Sequence, residues 1–334
     1  MQVAVLGGGI AGLSAAIALA LEGAQVQVYE RDAELRGIGA GIVAWPNAVF
    51  VLEALGLAEL CAQGGRVSAM RRLTPAGEVL GSLDLEALNA AMGHASRSLL
   101  RRDLQRALLA RARGLGVEVE FGRVLESIEE GPGGVRARFR EGASVEAELV
   151  LGAEGRMRSP SRAFVTGSSE PVYQGFVNWV GVARCSEPRF QDLAVRDFWG
   201  CGERFGIVPL TPRLAYWAGG AARAEVAERV RGGHRARLLE RFADWDPSIR
   251  AVVEATPDPE INEIYVYDHE PLEVWQRANL VLIGDAAHAA LPTSGQGARL
   301  SRTPGTWRGS GARAAQPKSS GGSCSRPARA RRAP

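Results

Sequence analysis

Gly7-x-Gly9-x-x-Gly12 is the feature that most restricts what this chain can fold into. It lies between an apolar run, Val3, Val5 and Leu6, and an Ala/Leu-rich stretch from Ile10 to Leu21 with helical character. Val26, Val28 and Tyr29 then run extended into Glu30, eighteen residues past Gly12. Strand, turn, helix and strand make a βαβ unit. In such a unit the first glycine allows a tight turn, the second lets the backbone approach a pyrophosphate, and the third lets helix and strand pack closely. The helix N-terminus supplies N–H donors, and an acid at Glu30 can accept from the ribose hydroxyls of an adenine dinucleotide.

Downstream, Gly37, Gly39 and Gly41 mark a loop, and Pro46-Asn47 opens a helix carrying Val51, Leu52, Leu55 and Leu57 at helical period. A second helix is predicted from Leu99 to Arg113. Strand signals follow at Val117 to Glu120, Val135 to Arg140 and Leu149 to Leu151. Between 170 and 220 the texture changes to closely spaced, aromatic-rich strands: Phe176 to Ala183, Ala194 to Trp199, Phe205 to Leu210 and Leu214 to Ala218. Ala224 to Phe242 reads as helix interrupted at Gly232-Gly233, and Ile264 to Tyr267 and Leu280 to Ile283 as strands. The predicted class is α/β: a Rossmann-like parallel-sheet domain over 1–168 and 261–298, with an inserted antiparallel-sheet domain over 169–260.

The 334 residues carry 40 Lys plus Arg and 37 Asp plus Glu, but the charge is uneven. Residues 299–334 hold nine basic side chains and no acid, leaving 31 basic against 37 acidic groups in 1–298, a net of −6. A body of that sign argues against a nucleic-acid footprint, which needs a dense basic surface. Cys61, Cys185, Cys201 and Cys324 show neither paired spacing nor a neighbouring His, so no disulfide framework or metal site is expected. Met1 to Leu21 lacks a basic leader and contains the glycine run, which argues against a signal peptide or membrane span and for a cytoplasmic protein. His94, His234 and His269 are isolated and read as surface or packing residues, while Trp179, Trp199 and Trp217 either shape a ring pocket or, as is commoner for aromatics at strand spacing, belong to the core.

Leu282-Ile283-Gly284-Asp285-Ala286-Ala287-His288, with Pro292 and Gly295-Gln296-Gly297 beyond it, completes a set of four ordered motifs. The others are the glycine fingerprint with Glu30 and Arg31, Leu100-Arg101-Arg102-Asp103-Leu104, and Gly152-Ala153-Glu154-Gly155. Together they resemble the flavin-dependent aromatic hydroxylases of the para-hydroxybenzoate hydroxylase class, over residues 1 to about 298. The resemblance implies FAD held by Gly7, Gly9, Ala11, Gly12, Glu30, Arg31, Arg101, Val124, Glu154, Gly284, Asp285, Gly295, Gln296 and Gly297. Asp285 would bind the ribityl chain. Glu154 departs from the family, which usually has Asp there. His288 is read as a structural member of the Gly-Asp motif.

The branch most resembled is the FAD-dependent urate hydroxylases. There, Phe176-Val177-Asn178-Trp179 matches a segment whose Asn contacts substrate, and Arg204 and Tyr216 fall at polar substrate contacts, with Pro292 as a further lining residue. Arg204 and Tyr216 are the implied catalytic pair. A cation, an amide and a phenol suit an anionic heteroaromatic ring, and they suit a phenolic acid as well. The implied chemistry is hydroxylation through a flavin C4a-hydroperoxide, with O2 and transiently bound NADH or NADPH, the chain showing no second glycine fingerprint. A binding-only relative without turnover and another FAD oxidoreductase of the same fold stand as alternatives.

From Arg299 onward the family's long acidic helix is replaced by Ser, Gly, Ala, Pro and Arg, with Leu300 and Trp307 the only large apolar residues. Such a segment is expected to be a disordered basic tail. Reading Arg302 to Arg308 one base earlier can encode Glu-Asp-Ala-Trp-His-Leu-Ala, so a frame change with truncation is the expectation here, and the coding DNA decides it.

Overall fold

The computed structural model describes residues 1–35, 40–131, 133–226 and 232–289. The opening βαβ unit forms as Gln2–Leu6, Ile10–Leu21 and Gln25–Tyr29. It builds a six-stranded sheet in the order Gln276–Arg277, Leu280–Leu282, Leu149–Gly152, Gln2–Leu6, Gln25–Tyr29 and Glu118–Glu120. All neighbours are parallel except the antiparallel edge strand Gln276–Arg277. Near-continuous apolar runs such as Val3 to Leu6 and Leu149 to Leu151 are what a sheet covered on both faces requires. Helices Ile10–Leu21, Pro46–Ala54 and Arg101–Gly114 cover one face, burying Leu13, Ile17, Leu52, Leu104 and Leu108.

The second sheet has seven strands, in the order Asn262–Asp268, Val172–Arg184, Leu214–Ala222, Glu203–Thr211, Val195–Trp199, Ala69–Leu73 and Val79–Asp84. It takes in the hairpin 69–84, which had no sequence expectation, and the strand Asn262–Asp268, expected in the parallel-sheet domain, because that strand pairs with Val172–Arg184; both lie outside the 169–260 stretch. One face packs Val177, Trp179, Phe205, Ile207 and Trp217 against helices His234–Arg241 and Pro247–Glu254. Trp217 is fully buried, stacked on Phe205 at 5.3 Å, and its indole N–H donates to Thr256 Oγ1 at 2.8 Å.

Some local expectations shift. Gly41 starts a strand, Gly41–Ala44, rather than a loop, because it pairs with Arg97–Leu100. The helix expected from Leu99 starts at Arg101, since Leu99 and Leu100 belong to that strand. Of the helix expected over 224–242, the described part is His234–Arg241, entered through Gly232 and Gly233 at φ +78° and +67°, where a side chain would strain the turn. No helix among the described residues is long and apolar enough to cross a membrane.

Candidate active site

Adjacent parallel strands deliver their C-terminal ends to one edge, so the segments after Leu6, Gly152 and Leu282 meet there. The Gly7 N–H donates to Tyr29 O, Ala153 N–H to Leu6 O and Ile283 N–H to Gly152 O, at 2.8, 2.8 and 2.9 Å. Gly7 stands at φ +116°, and a Cβ there would lie 2.4 Å from Ala153 O. Gly9 is the N-cap of Ile10–Leu21, with no side-chain cap and no acid in the first turn. A Cβ on Gly9 would meet nothing within 4 Å. Uncapped N–H groups facing open space beside a bare glycine fit a pyrophosphate.

Glu30 sits at the end of the second strand. Its two carboxylate oxygens accept from Gly8 N–H (2.7 Å) and Asp32 N–H (3.0 Å), which fixes them at the rim of the glycine turn. Arg31 is exposed beside it. Val124 is half-buried and joins this rim through its neighbour, since Arg123 N–H donates to Glu30 O.

Gly284 brings the last motif to the same place. Its φ is +58°, and a Cβ there would lie 2.5 Å from Ala11 Cβ, so Asp285 begins beside the first turn of the crevice helix. The Asp285 carboxylate accepts from Arg156 Nε (3.1 Å) and Nη2 (2.7 Å). Arg156 also donates to Tyr267 O, and His269 Nε2 lies 2.6 Å from the Arg156 carbonyl. Arg101, an exposed residue, stands near the group: partial desolvation pulls its pKa below the ordinary value, the nearby Asp285 raises it and Arg156 lowers it. Arg156 and His269 carried no sequence signal beyond their closeness to the motifs. His288 stacks on Trp275 at 5.2 Å, a packing contact.

The Glu154 departure has a local explanation. Its carboxylate accepts from Ser161 N–H (3.0 Å), Ser161 Oγ–H (2.6 Å) and Ser159 Oγ–H (3.2 Å), at the start of helix Pro160–Thr166. Its backbone, not its side chain, borders the Gly7 turn. Burial pushes its pKa up, and those hydrogen bonds pull the other way. A raised pKa means that the folded chain holds the proton more tightly than the unfolded one. The stabilisation is therefore full below the unfolded carboxylate range and is lost as pH rises through the folded value. Glu154→Gln removes the charge and keeps the shape, so its melting temperature should exceed the unaltered protein's at about pH 8 and match it at about pH 4. Equal offsets at both would refute this.

The seven-stranded sheet presents the expected substrate residues on its other face. Asn178 pairs with Gly220, Gly220 with Arg204 and Arg204 with Trp199, so these four form one row across the strands. Val180, Ala218, Gly206, Asp197 and Arg72 form the next row, and Val182, Tyr216 and Val208 the one after. Asn178 and Phe176 cover Gly220, where a Cβ would strike both at 2.5 Å. Over Gly206, by contrast, an added Cβ would find only Ala218 O, at 3.9 Å. Gly206 and Ala218 thus leave a hollow in this face, in the row between that of Asn178 and Arg204 and that of Tyr216.

Tyr216 ties the hollow to the crevice. Its ring lies where a Gly41 Cβ would be, 2.0 Å from its Cδ1, and Arg101 N–H reaches the carbonyl of neighbouring Ala40 at 3.5 Å. Burial pushes the Tyr216 phenol well above its usual range. Arg204, expected as a substrate cation, is itself ion-paired in the folded chain. Its Nε and Nη2 donate to Asp197 Oδ1 (2.6 Å) and Oδ2 (3.1 Å), and Trp199 Nε1–H donates to the same carboxylate at 2.7 Å. Asp197, almost fully buried, had no sequence expectation. Trp199, read chiefly as core, is 46% exposed, while Trp179 and Trp217 are core. Pro292, Gly295, Gln296 and Gly297 lie outside the described residues, as do Gly37, Gly39 and the tail after Ala289. Among the described residues no cluster of potential metal ligands occurs, and Cys61, Cys185 and Cys201 are free thiols.

Comparison with known proteins places this arrangement in a class. The family model described as "FAD binding domain" matches residues 1–302. The chain is 32% identical to the aurachin C monooxygenase/isomerase of Stigmatella aurantiaca over 304 residues, covering 89% of this chain and 76% of that protein. It is equally 32% identical to a FAD-dependent urate hydroxylase of Klebsiella pneumoniae over 307 residues, covering 89% and 77%. The crystal structure of Klebsiella pneumoniae HpxO complexed with FAD and uric acid superposes with a TM-score of 0.81 at 31% identity, over 89% of this chain and 76% of that one. The chain belongs to the FAD-binding domain family and is, by class, an FAD-dependent monooxygenase.

Proposed function

We propose that this enzyme hydroxylates a small, flat heteroaromatic or purine-like ring, with NADH or NADPH as electron donor and O2 as oxygen source. The observation that carries the reading is the hollow over Gly206 and Ala218, set between the row of Asn178 and Arg204 and that of Tyr216 and joined to the crevice through Gly41. Similarity to a urate hydroxylase supports the ring class. On this reading 1–168 without the hairpin 69–84, and 269–298, hold the cofactor, while 169–268 with that hairpin hold the substrate.

Gly7, Gly9, Ala11 and Gly12 would take the pyrophosphate of FAD, with Glu30 at the ribose and Asp285, set by Arg156, at the ribityl chain. Arg101 stands beside Asp285 as the crevice cation. FAD held there would supply the redox chemistry that links the nicotinamide donor, O2 and the ring. The chain's own residues hold and orient the ring. Asn178 offers an amide donor and acceptor, and Tyr216, a neutral phenol whose burial further opposes ionisation, donates its O–H. Arg204 donates N–H groups from a guanidinium that Asp197 and Trp199 keep in one orientation. Apolar Val67, Leu85, Val195 and Val208 pack around Tyr216 and exclude water from that end.

Incubation of the FAD-loaded protein with NADH or NADPH, isotopically labelled O2 and urate or hydroxylated pyridines tests this. Ring-stimulated nicotinamide oxidation with label in the product is expected. Oxidation without label refutes hydroxylation, and retained FAD without any ring stimulation identifies a binding-only chain. Gly206→Val should keep FAD and lower kcat/KM about 100-fold, the scale of a misfit of roughly 3 kcal/mol in the hollow. Unchanged kinetics would place the ring elsewhere.

A further inference from the structure

Two guanidiniums share one indole ring at the edge of the hollow. Arg204 is forked onto Asp197, and both Arg204 and Arg72 lie over the Trp199 ring, at 5.7 and 5.0 Å from its centroid. Arg72 stands directly across from Asp197 on the neighbouring strand, in the same row as Gly206. With strands about 4.8 Å apart, its Cα is roughly 10 Å from that of Gly206, within reach of a long side chain and a small ring between them. Arg72 is exposed and makes no ion pair among the described residues. Asp197 is taken up by Arg204, which leaves Arg72 as the cation of this edge that has no ion pair among the described residues. Trp199, pinned by its indole N–H to Asp197, gives the Arg72 guanidinium a fixed platform.

We propose that Arg72 reads an anionic substituent on the ring substrate, so that the enzyme selects ring acids over neutral rings of the same shape. The inference rests on the hollow being the substrate site. It assigns the charge selection to Arg72 and leaves to Arg204 the directional hydrogen bonds of a neutralised pair. A carboxylate or ionised ring oxygen on the side facing the strand Ala69–Leu73 would complete an alternating array of two cations and two anions around Trp199.

Calorimetric titration of the FAD-loaded protein with 6-hydroxynicotinate and with 2-hydroxypyridine, the same ring without its carboxylate, tests the selection. The unaltered protein should bind the acid more tightly, and added salt should reduce that preference. Arg72→Gln should weaken the acid about tenfold and leave the neutral ring unchanged, while Arg72→Lys keeps most of the preference. An acid-to-neutral ratio unchanged in Arg72→Gln overturns the inference. Gly206→Val separates the two readings. Loss of both rings there supports the hollow whatever Arg72 does, and undiminished binding of both refutes the hollow itself. If neither ring binds the unaltered protein, both fall.

Discussion

Gly12→Ala protein should emerge from purification without flavin colour and take up no FAD when it is added. A Cβ at position 12 would lie 1.9 Å from Gly7 O and 3.2 Å from Val5 Cγ1. The nearer atom is backbone, so no rotamer change relieves the overlap, and the helix Ile10–Leu21 must move off the opening strand. Gly12 is itself buried beside Leu13, Ala16 and Ile17, whose packing sets the distance between helix and sheet. Overpacking of this kind costs about 1–3 kcal/mol or more of stability. The same displacement opens the cradle of N–H groups, where loss of several aligned hydrogen bonds would weaken the cofactor more than about 100-fold. Visible absorbance after gel filtration and a thermal melt read the two effects. Normal FAD content in this variant would show that the glycine turn does not hold the cofactor.

Asp197→Ala has a comparably large expected effect at the other end of the site. Its carboxylate is almost fully buried and accepts three hydrogen bonds, two from Arg204 and one from Trp199. Truncation removes the Asp197 carboxylate from a guanidinium that is only 25% exposed, and takes the acceptor from the Trp199 indole N–H. Breaking a buried pair from one side costs about 3–5 kcal/mol, and the partial exposure of Arg204 places this site at or below the lower figure. The melting temperature should fall while FAD is retained. The KM for the ring should rise as Arg204 loses its orientation, and Asp197→Asn, which keeps the shape and one acceptor, should recover part of both. A variant with unaltered KM would show that Arg204 needs no positioning by Asp197.

The two variants probe features of different visibility. Gly12 was legible because its role is steric and local: a helix can approach a strand that closely only where a side chain is missing, and the spacing to Gly7 and Gly9 lies within one turn. Asp285 was legible through its motif, and its place beside Ala11 follows from strand order. Arg156, by contrast, follows a recognised turn with nothing to mark it, and becomes significant only because Asp285, 129 residues later, lands against it. Asn178, Arg204 and Tyr216 were legible as residue types on strands. Their grouping depends on cross-strand register, since a slip of one residue would send each to the opposite face.

From the sequence alone came the α/β class and the glycine turn with Glu30 at its rim, written in short-range spacing and in apolar runs of strand length, while the flavin-enzyme character came from the resemblance of four ordered motifs to a known family. Tertiary structure decided which charges balance and which remain. Asp197 neutralises Arg204 and leaves Arg72 unpaired among the described residues, and the Glu154 carboxylate turns to the helix Pro160–Thr166 instead of the cradle. It also decided that Gly41 is the contact through which the Tyr216 ring meets the crevice side of the molecule. The physical reason is range. Steric and periodic constraints act between near neighbours in the chain, whereas ion pairs and ring contacts act through space between residues whose proximity only the folded sheets create.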